Sequence, residues 1–379
     1  MSNAYEAGRP QPQTTAQSSG PFLQLSQAGR APQYSASNAL GTILTQPLVA
    51  RPGYASQYRI NHVLSGGALT GATIAADAPW NVPGQIFFKD GFGTPIFTGD
   101  GYSISYLVNL LSGGFGVLNG TNNPANLPSY SALTTAGNGG FSYSLPLEFS
   151  QAMGLLPIAN ASILPTLQFN FSSLAQIFGA ATGTAPTIQT TVDVDFQWIP
   201  ESSGSQSVAD VTPPGLGTTR QWQVVQANPT VAASSSARVQ LPRLGGYLDT
   251  IALLMRDSTG ARTDGFWPTR PQLIVDGVPL IDSTLGGVYD DMQIQFGFNT
   301  GLNALRPTGL MAFSRKTSLN QVNLGKLDTS ERLLSTNPGT LIEFNFAPAG
   351  AGSNSPATMS VLVGQIIPSG NIIYGLPEA

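Results

Sequence analysis

The chain contains no cysteine, one histidine and few charges. Without cysteine there is no disulfide scaffold and no thiolate metal site. A single imidazole, His62, leaves one position for the base of a Ser/His/Asp triad, and no G-x-S-x-G elbow accompanies it. His62 sits in an alternating run and reads as a packed or surface strand residue. The only lysines are Lys89, Lys316 and Lys326, and none completes a phosphate-binding G-x-x-x-x-G-K-[ST] loop. Gly113, Gly114 and Gly116 lack the strand-loop-helix setting of a dinucleotide site and read as loop residues. No stretch approaches the roughly 20 apolar residues of a membrane span, and Met1 to Gly20 lacks the apolar core of a secretory signal.

Charge is scarce as well as scattered. Charged residues make up 9% of the chain, against about 25% in a typical soluble domain. From Gly101 to Val192 only Glu148 is charged. Charge keeps protein surfaces apart, so this stretch points to a subunit buried among neighbours. The formal net charge of -4 gives no electrostatic footprint for nucleic acid. Arginines exceed lysines but form no basic arm: residues 1–45 hold Arg9 and Arg30 alone, and Arg315-Lys316 is the densest pair.

What is abundant is glycine and proline, 43 and 29 residues, together with Ser, Thr, Asn and Gln. Few long helices survive such a composition, and many short strands joined by turns suit it. Alternation marks strands at Gln57–Leu64, Phe141–Phe149, Leu167–Phe171 and Val192–Trp198. Further strands are expected at Gly84–Lys89, Thr94–Thr98, Gly246–Met255, Gln272–Ile281 (in two pieces), Met292–Phe298, Ile342–Phe346 and Thr358–Ile367. Short helices are expected at Ser105–Leu111 and Ser330–Leu334. Residues 1–45 show no sustained period and read as an arm, with Phe22, Leu23 and Leu25 as its apolar anchor. Glu201–Thr219, rich in Ser, Gly and Pro, reads as a linker.

Four blocks recur in order in the two halves. Tyr58-Arg59-Ile60 resembles Ala237-Arg238-Val239, with Gly66-Gly67 and Gly245-Gly246 following. Ile86-Phe87-Phe88 before Asp90-Gly91 resembles Leu273-Ile274-Val275 before Asp276-Gly277, and Pro95-Ile96 resembles Pro279-Leu280. Leu167–Phe171 resembles Ile342–Phe346. Trp198-Ile199-Pro200 resembles Ile366-Ile367-Pro368. A tandem duplication follows, too long in period for a solenoid. The expectation is an all-β chain of two eight-stranded jelly rolls. Its parts are an arm at 1–45, a first jelly roll at 46–205, a linker at 206–219 and a second jelly roll at 220–379.

The run Pro79 to Gly93 resembles the strand-and-turn block of tectivirus-like double jelly-roll major capsid proteins, the lineage of the adenovirus hexon. Thr98-Gly99-Asp100-Gly101 leading into Tyr102–Leu111, and Phe141–Phe149 leading into Gly154–Phe171, are similar to later blocks of that family. The resemblance covers about residues 60 to 370 and rests on order rather than on any one motif. It implies a homotrimer of pseudo-hexagonal outline in an icosahedral virion shell. It also implies vertex or minor capsid partners, an internal membrane, a double-stranded DNA genome and assembly in the host cytoplasm. The chain departs from the family in lacking a helical pattern at its N-terminal end.

No catalytic, cofactor-binding or metal-binding residue is assigned, and no enzyme activity is expected. Asp193 and Asp195 share a strand face. That pair suits Ca²⁺ or, with a facing carboxylate, glycoside hydrolysis, but a solvated face accounts for it. Asp290-Asp291 reads as a loop edge, with Ca²⁺ again as the second reading. The sequons at Asn119, Asn160 and Asn170 carry no assigned function. The competing functions are a glycan-active enzyme and a glycan-binding adhesin or spike. Either would draw on Trp80, Trp198, Trp222 and Trp267 as sugar platforms.

Overall fold

The computed structural model describes residues 20–115, 123–149, 152–200, 213, 216–231, 237–240, 246–298, 306–314, 334–336, 341–346 and 357–367. Among the described residues eight principal strands occupy the first half: β1 (Gln27–Ala39), β2 (Ile43–Pro47), β3 (Tyr54–Ser65), β4 (Pro83–Lys89), β5 (Pro95–Asp100), β6 (Gly139–Pro146), β7 (Thr166–Phe171) and β8 (Thr187–Trp198). Eight occupy the second: β9 (Thr219–Val231), β10 (Ala237–Gln240), β11 (Gly246–Arg256), β12 (Gln272–Val275), β13 (Val278–Asp282), β14 (Leu310–Ser314), β15 (Ile342–Phe346) and β16 (Ala357–Ile367). The first half pairs them as β1-β8-β3-β6 and β5-β4-β7-β2. The second half repeats that order as β9-β16-β11-β14 and β13-β12-β15-β10.

The repetition extends to register. In β3 the chain bulges at Ser56, between Ala55 opposite Phe196 and Gln57 opposite Asp195. In β11 it bulges at Asp249, between Leu248 opposite Gln365 and Thr250 opposite Gly364. Gln33 bulges from β1 against β8, and Val225 bulges from β9 against β16 at the corresponding point. A bulge places two residues against one and re-aims the strand, so a shared bulge is a stronger sign of common geometry than shared strand length.

Each half is a sandwich because alternate residues point inward from both sheets. Ile188, Thr190, Val192 and Val194 of β8 are buried, as are Tyr58, Ile60, His62 and Leu64 of β3. Ile86 and Phe88 face them from β4, with Leu167, Phe169 and Phe171 from β7. Burying side chains of this size contributes about 1.5–3 kcal/mol each.

Four helices longer than one turn lie among the described residues: α1 (Gly20–Leu25), α2, α3 (Leu174–Phe178) and α4 (Leu285–Phe296). Helix α2 opens as a π-helical segment, Tyr102–Leu107, and continues as Val108–Ser112. It contains the helix expected at Ser105–Leu111. Its buried Asn109 donates to the Ser144 carbonyl and accepts from the Ser144 N–H, tying α2 to β6. In the second half α4 packs on β14, where the Ala312 N–H reaches the Met292 sulfur.

Several expectations need correction. The arm does not extend to residue 45: β1 pairs with β8 along its length and β2 pairs with β7, so the first barrel begins at Gln27. An edge strand is held by its backbone, and β1 turns small residues such as Gly29 and Ala31 toward its barrel, which hides the alternation. Residues 1–19, 206–212 and 214–215 of the expected arm and linker lie outside the described residues, and Thr219 already belongs to β9.

Met292, Ile294, Phe296 and Phe298 are not a strand. Val288, Met292 and Phe296 are the buried stripe of α4, while Ile294 is 70% exposed. Every second step along a four-residue repeat mimics strand alternation. The Thr284 side chain accepting from the Gly287 N–H and the left-handed Gly297 mark the true ends. Asp290 and Asp291 therefore lie on an exposed helix face rather than a loop edge.

Tyr58-Arg59-Ile60 and Ala237-Arg238-Val239 are not counterparts, since the first lies on β3 and the second on β10. Register instead matches Ile43-Leu44, opposite Asn170-Phe169, with Arg238-Val239, opposite Asn345-Phe344. Ile86–Phe88 with Leu273–Val275, and Leu167–Phe171 with Ile342–Phe346, fall on equivalent strands in matching register. Pro95 and Pro279 lie on equivalent strands but not opposite equivalent residues, Trp198 registers with Ile367 rather than Ile366, and Pro368 lies outside the described residues. Of the helix expected at Ser330–Leu334, residues 330–333 lie outside the described residues, and Leu334 begins a short strand, Leu334–Thr336.

Candidate assembly surfaces

The two barrels are fused edge to edge. β5, the last strand of one sheet in the first barrel, runs parallel to β9 of the second, with Phe97 opposite Trp222 and Thr98 opposite Gln223. A continuous sheet, β14-β11-β16-β9-β5-β4-β7-β2, therefore spans both halves. Gly99 permits the approach, because a Cβ there would press on the Val224 side chain. Trp222 and Phe97 are both 0% exposed.

A charged clamp stands over this seam. Asp77 of the first barrel receives Arg256 at 2.6 Å and Arg262 at 2.8 Å, both from the second. Arg262 also donates to the Tyr102 hydroxyl at 2.8 Å and to the Ala76 carbonyl at 3.1 Å. Both guanidinium groups lie over the Tyr102 ring, 5.7 and 5.0 Å from its centre. Burial pushes the Tyr102 phenol up, against the pull of the two arginines. Between the barrels is a cavity of about 520 Å³ lined by Asp77, Gln85, Asp100, Arg256 and Ser360 among others.

The residues weighed for chemistry do not gather into a catalytic site. His62 is fully buried. Its Nδ1 lies 3.0 Å from Thr190 Oγ1 and its Nε2 3.2 Å from Tyr143 OH, inside a ring of Phe141, Tyr143, Phe169 and Phe171. Burial lowers its pKa to about 3, so it is a neutral core residue. Asp195 is held by Arg30 Nε at 2.6 Å, Arg59 Nε at 2.7 Å and Gln57 Nε2 at 2.6 Å. Burial opposes its ionisation, but these hydrogen bonds outweigh that and hold the carboxyl below its usual range. Its oxygens are thus occupied by side-chain donors. Among the described residues no three His, Asp or Glu side chains come together as a metal site. Nor is any described helix long and apolar enough to cross a membrane.

The tryptophans serve the core rather than a sugar platform. Trp80 packs against Tyr106, Phe115, Tyr130 and Phe141, while Trp222 and Trp267 are buried. Only Trp198 is partly open. Phe22 of α1 is buried against Ala152 and Leu155, and Leu23 and Leu25 beside it remain exposed.

No protein-family model matches the chain, and no curated protein matches it. Solved structures do. The major capsid protein of Sulfolobus turreted icosahedral virus superposes with a TM-score of 0.60 at 15% identity, over 92% of this chain and 100% of that one. The VP54 protein of the virus PBCV-1 gives 0.55 at 10% identity, over 90% and 93%. The major capsid protein P2 of bacteriophage PM2 gives 0.52 at 11% identity, over 92% and 100%.

The fold is a double jelly roll.

Within it, sequence reading missed two features. One is an Asp-x-x-Trp turn in each half, Asp77-Ala78-Pro79-Trp80 and Asp264-Gly265-Phe266-Trp267. Asp77 clamps the barrels together, while Asp264 accepts from Trp267 Nε1 and binds Arg306 at 2.7 Å. The equal spacing from each Trp to the glutamines that open the strand core, Gln85 and Gln272, was the available signal. The other is the buried pair of Arg220 and Asp249 at the β11 bulge, to which no motif points.

Proposed function

We propose that this chain is a major capsid protein, a structural subunit that works by assembling with copies of itself rather than by catalysis. The observation that carries the reading is the pair of same-order barrels fused edge to edge, a building block with two similar faces. The likeness of the fold to viral capsid proteins over nearly the whole chain supports it. So does the uncharged stretch from Gly101 to Val192, whose sequence suits contact with neighbours.

In this reading three copies form a pseudo-hexagonal capsomer, and capsomers tile an icosahedral shell in the virion. Vertex or minor capsid proteins complete the shell around double-stranded DNA, with a membrane beneath it and assembly in the host cytoplasm. The chain itself contacts no specific nucleic-acid sequence. Light scattering on the purified protein tests the core of this reading. A mass of three chains, or shells in electron micrographs, is the expected result; a stable monomer at micromolar concentration would overturn it.

A further inference from the structure

The duplication supplies a comparison inside the molecule. Three polar residues stand abreast on adjacent strands of the first barrel: Asn170 on β7, Gln85 on β4 and Asp100 on β5, with Gln85 opposite both of the others. The second barrel repeats the row at Asn345, Gln272 and Asp282. There the acid is satisfied from within. Arg270 donates to Asp282 at 2.5 Å, and the Gln272 side chain donates to it as well.

In the first barrel the row is open. Pro83 stands two residues before Gln85, where Arg270 stands two before Gln272. Among the described residues Asp100 receives the Ser103 N–H at 2.9 Å and the Ser103 hydroxyl at 2.7 Å, one donor to each oxygen, so each oxygen keeps a lone pair. Asn170 donates to Gln85 Oε1 at 3.1 Å, which leaves the Gln85 Nε2 protons to be given elsewhere. Gln85 is exposed and Asp100 half-buried. Both line the cavity of about 520 Å³ at the barrel junction, to which the second barrel adds Arg256 and Ser360. That volume lies within the ~300–1,000 Å³ of small-molecule sites. Phe87 lines it too, half-buried and on the same face of β4 as Gln85. Its place in the second barrel is taken by Ile274, which is buried.

We infer that this cavity binds a neutral sugar. Gln85 and Asp100 set a donor beside an acceptor, and two adjacent hydroxyls match that pair: one accepts from Gln85 Nε2 while its neighbour donates to Asp100. Phe87, about 7 Å further along the strand, offers an aromatic surface to the apolar face of the pyranose ring. The charges disfavour other ligands. Arg256 and Arg262 are committed to Asp77, so a phosphate would meet Asp100 without a cation of its own. Among the described residues no second and third acid or imidazole join Asp100 to hold a metal ion. This inference goes beyond the capsid reading and does not rest on it: it gives an assembling subunit a carbohydrate site where its two barrels meet.

Titration calorimetry of the full chain with methyl glucoside, methyl galactoside, methyl mannoside and N-acetylglucosamine, each to millimolar concentration, tests it. At least one should bind saturably. Gln85→Ala, Phe87→Leu and Asp100→Asn should each weaken that sugar about tenfold or more. Asp100→Asn keeps an oxygen for the Ser103 N–H, so the start of α2 is preserved. Gln272→Ala, the same change in the second barrel, should leave the affinity as it is. Saturable binding of none of the four sugars overturns the inference. So does an affinity unmoved by both Gln85→Ala and Asp100→Asn, or binding of inorganic phosphate or Ca²⁺ lost in those variants in place of a sugar. Light scattering on the same samples keeps the two readings apart: a trimer that binds no sugar overturns the site alone, and a monomer that binds one overturns the capsid reading alone.

Discussion

Gly53 and Gly246 stand at the same point of the two barrels, one residue before Tyr54 and Tyr247, at the start of β3 and β11. Both have positive φ, 96° and 106°. A Cβ on Gly53 would drive into the Gln197 carbonyl, and one on Gly246 into the Ile366 carbonyl. Here an L side chain meets both an unfavourable backbone region and a backbone oxygen. Gly53→Ala and Gly246→Ala should each lower stability by roughly 1–3 kcal/mol. Gly71→Ala is the control, since its φ is 71° but nothing lies near its Cβ. It should lose less, and urea midpoints would show an equal loss if collision with the carbonyl were unimportant.

Arg220 and Asp249 form a buried ion pair at the β11 bulge, with the Arg220 guanidinium 4.6 Å from the Trp222 ring centre. Removing one partner strands the other charge. Asp249→Ala should therefore cost about 3–5 kcal/mol, whereas Arg220→Met with Asp249→Leu should come close to wild type or exceed it. Thermal melts of the three proteins check this, and a double variant as unstable as the single one would count against it.

Asp77 links the barrels through Arg256 and Arg262, all three being largely buried. Asp77→Ala leaves two arginines beside Tyr102 without the carboxylate they share. Calorimetry should show the single wild-type transition broaden or split, with the second barrel and the first unfolding apart. Unchanged cooperativity would assign the coupling to the β5–β9 pairing alone.

His62 ties stability to pH. Its folded pKa, about 3, lies below the usual 6.5, so below pH 6.5 the unfolded chain takes up a proton that the folded chain refuses. Stability from this site is complete above pH 6.5 and falls by about 1.4 kcal/mol per pH unit as pH drops toward 3. His62→Gln should flatten that slope between pH 6 and 4. Urea midpoints across the range read it directly, and equal slopes in the two proteins would refute the assignment.

The sequence by itself settled the fold class, because glycine, proline and period-two alternation leave few alternatives to short strands. It also settled that there are two copies: the blocks Ile86–Phe88 with Leu273–Val275 and Leu167–Phe171 with Ile342–Phe346 lie on equivalent strands, kept by inward apolar residues such as Leu167, Phe169, Ile342 and Phe344. It failed where backbone rather than side chains carries the structure. β1 is held by hydrogen bonds to β8 and shows little apolar pattern, so its membership of the first barrel was invisible. α4 reads as a strand until its caps are weighed. The seam was decided only in three dimensions, because β5 and β9 lie more than a hundred residues apart, as do Asp77 and the arginines it binds. Which edges are covered and which stay open depends on how the barrels dock, and no local pattern encodes that.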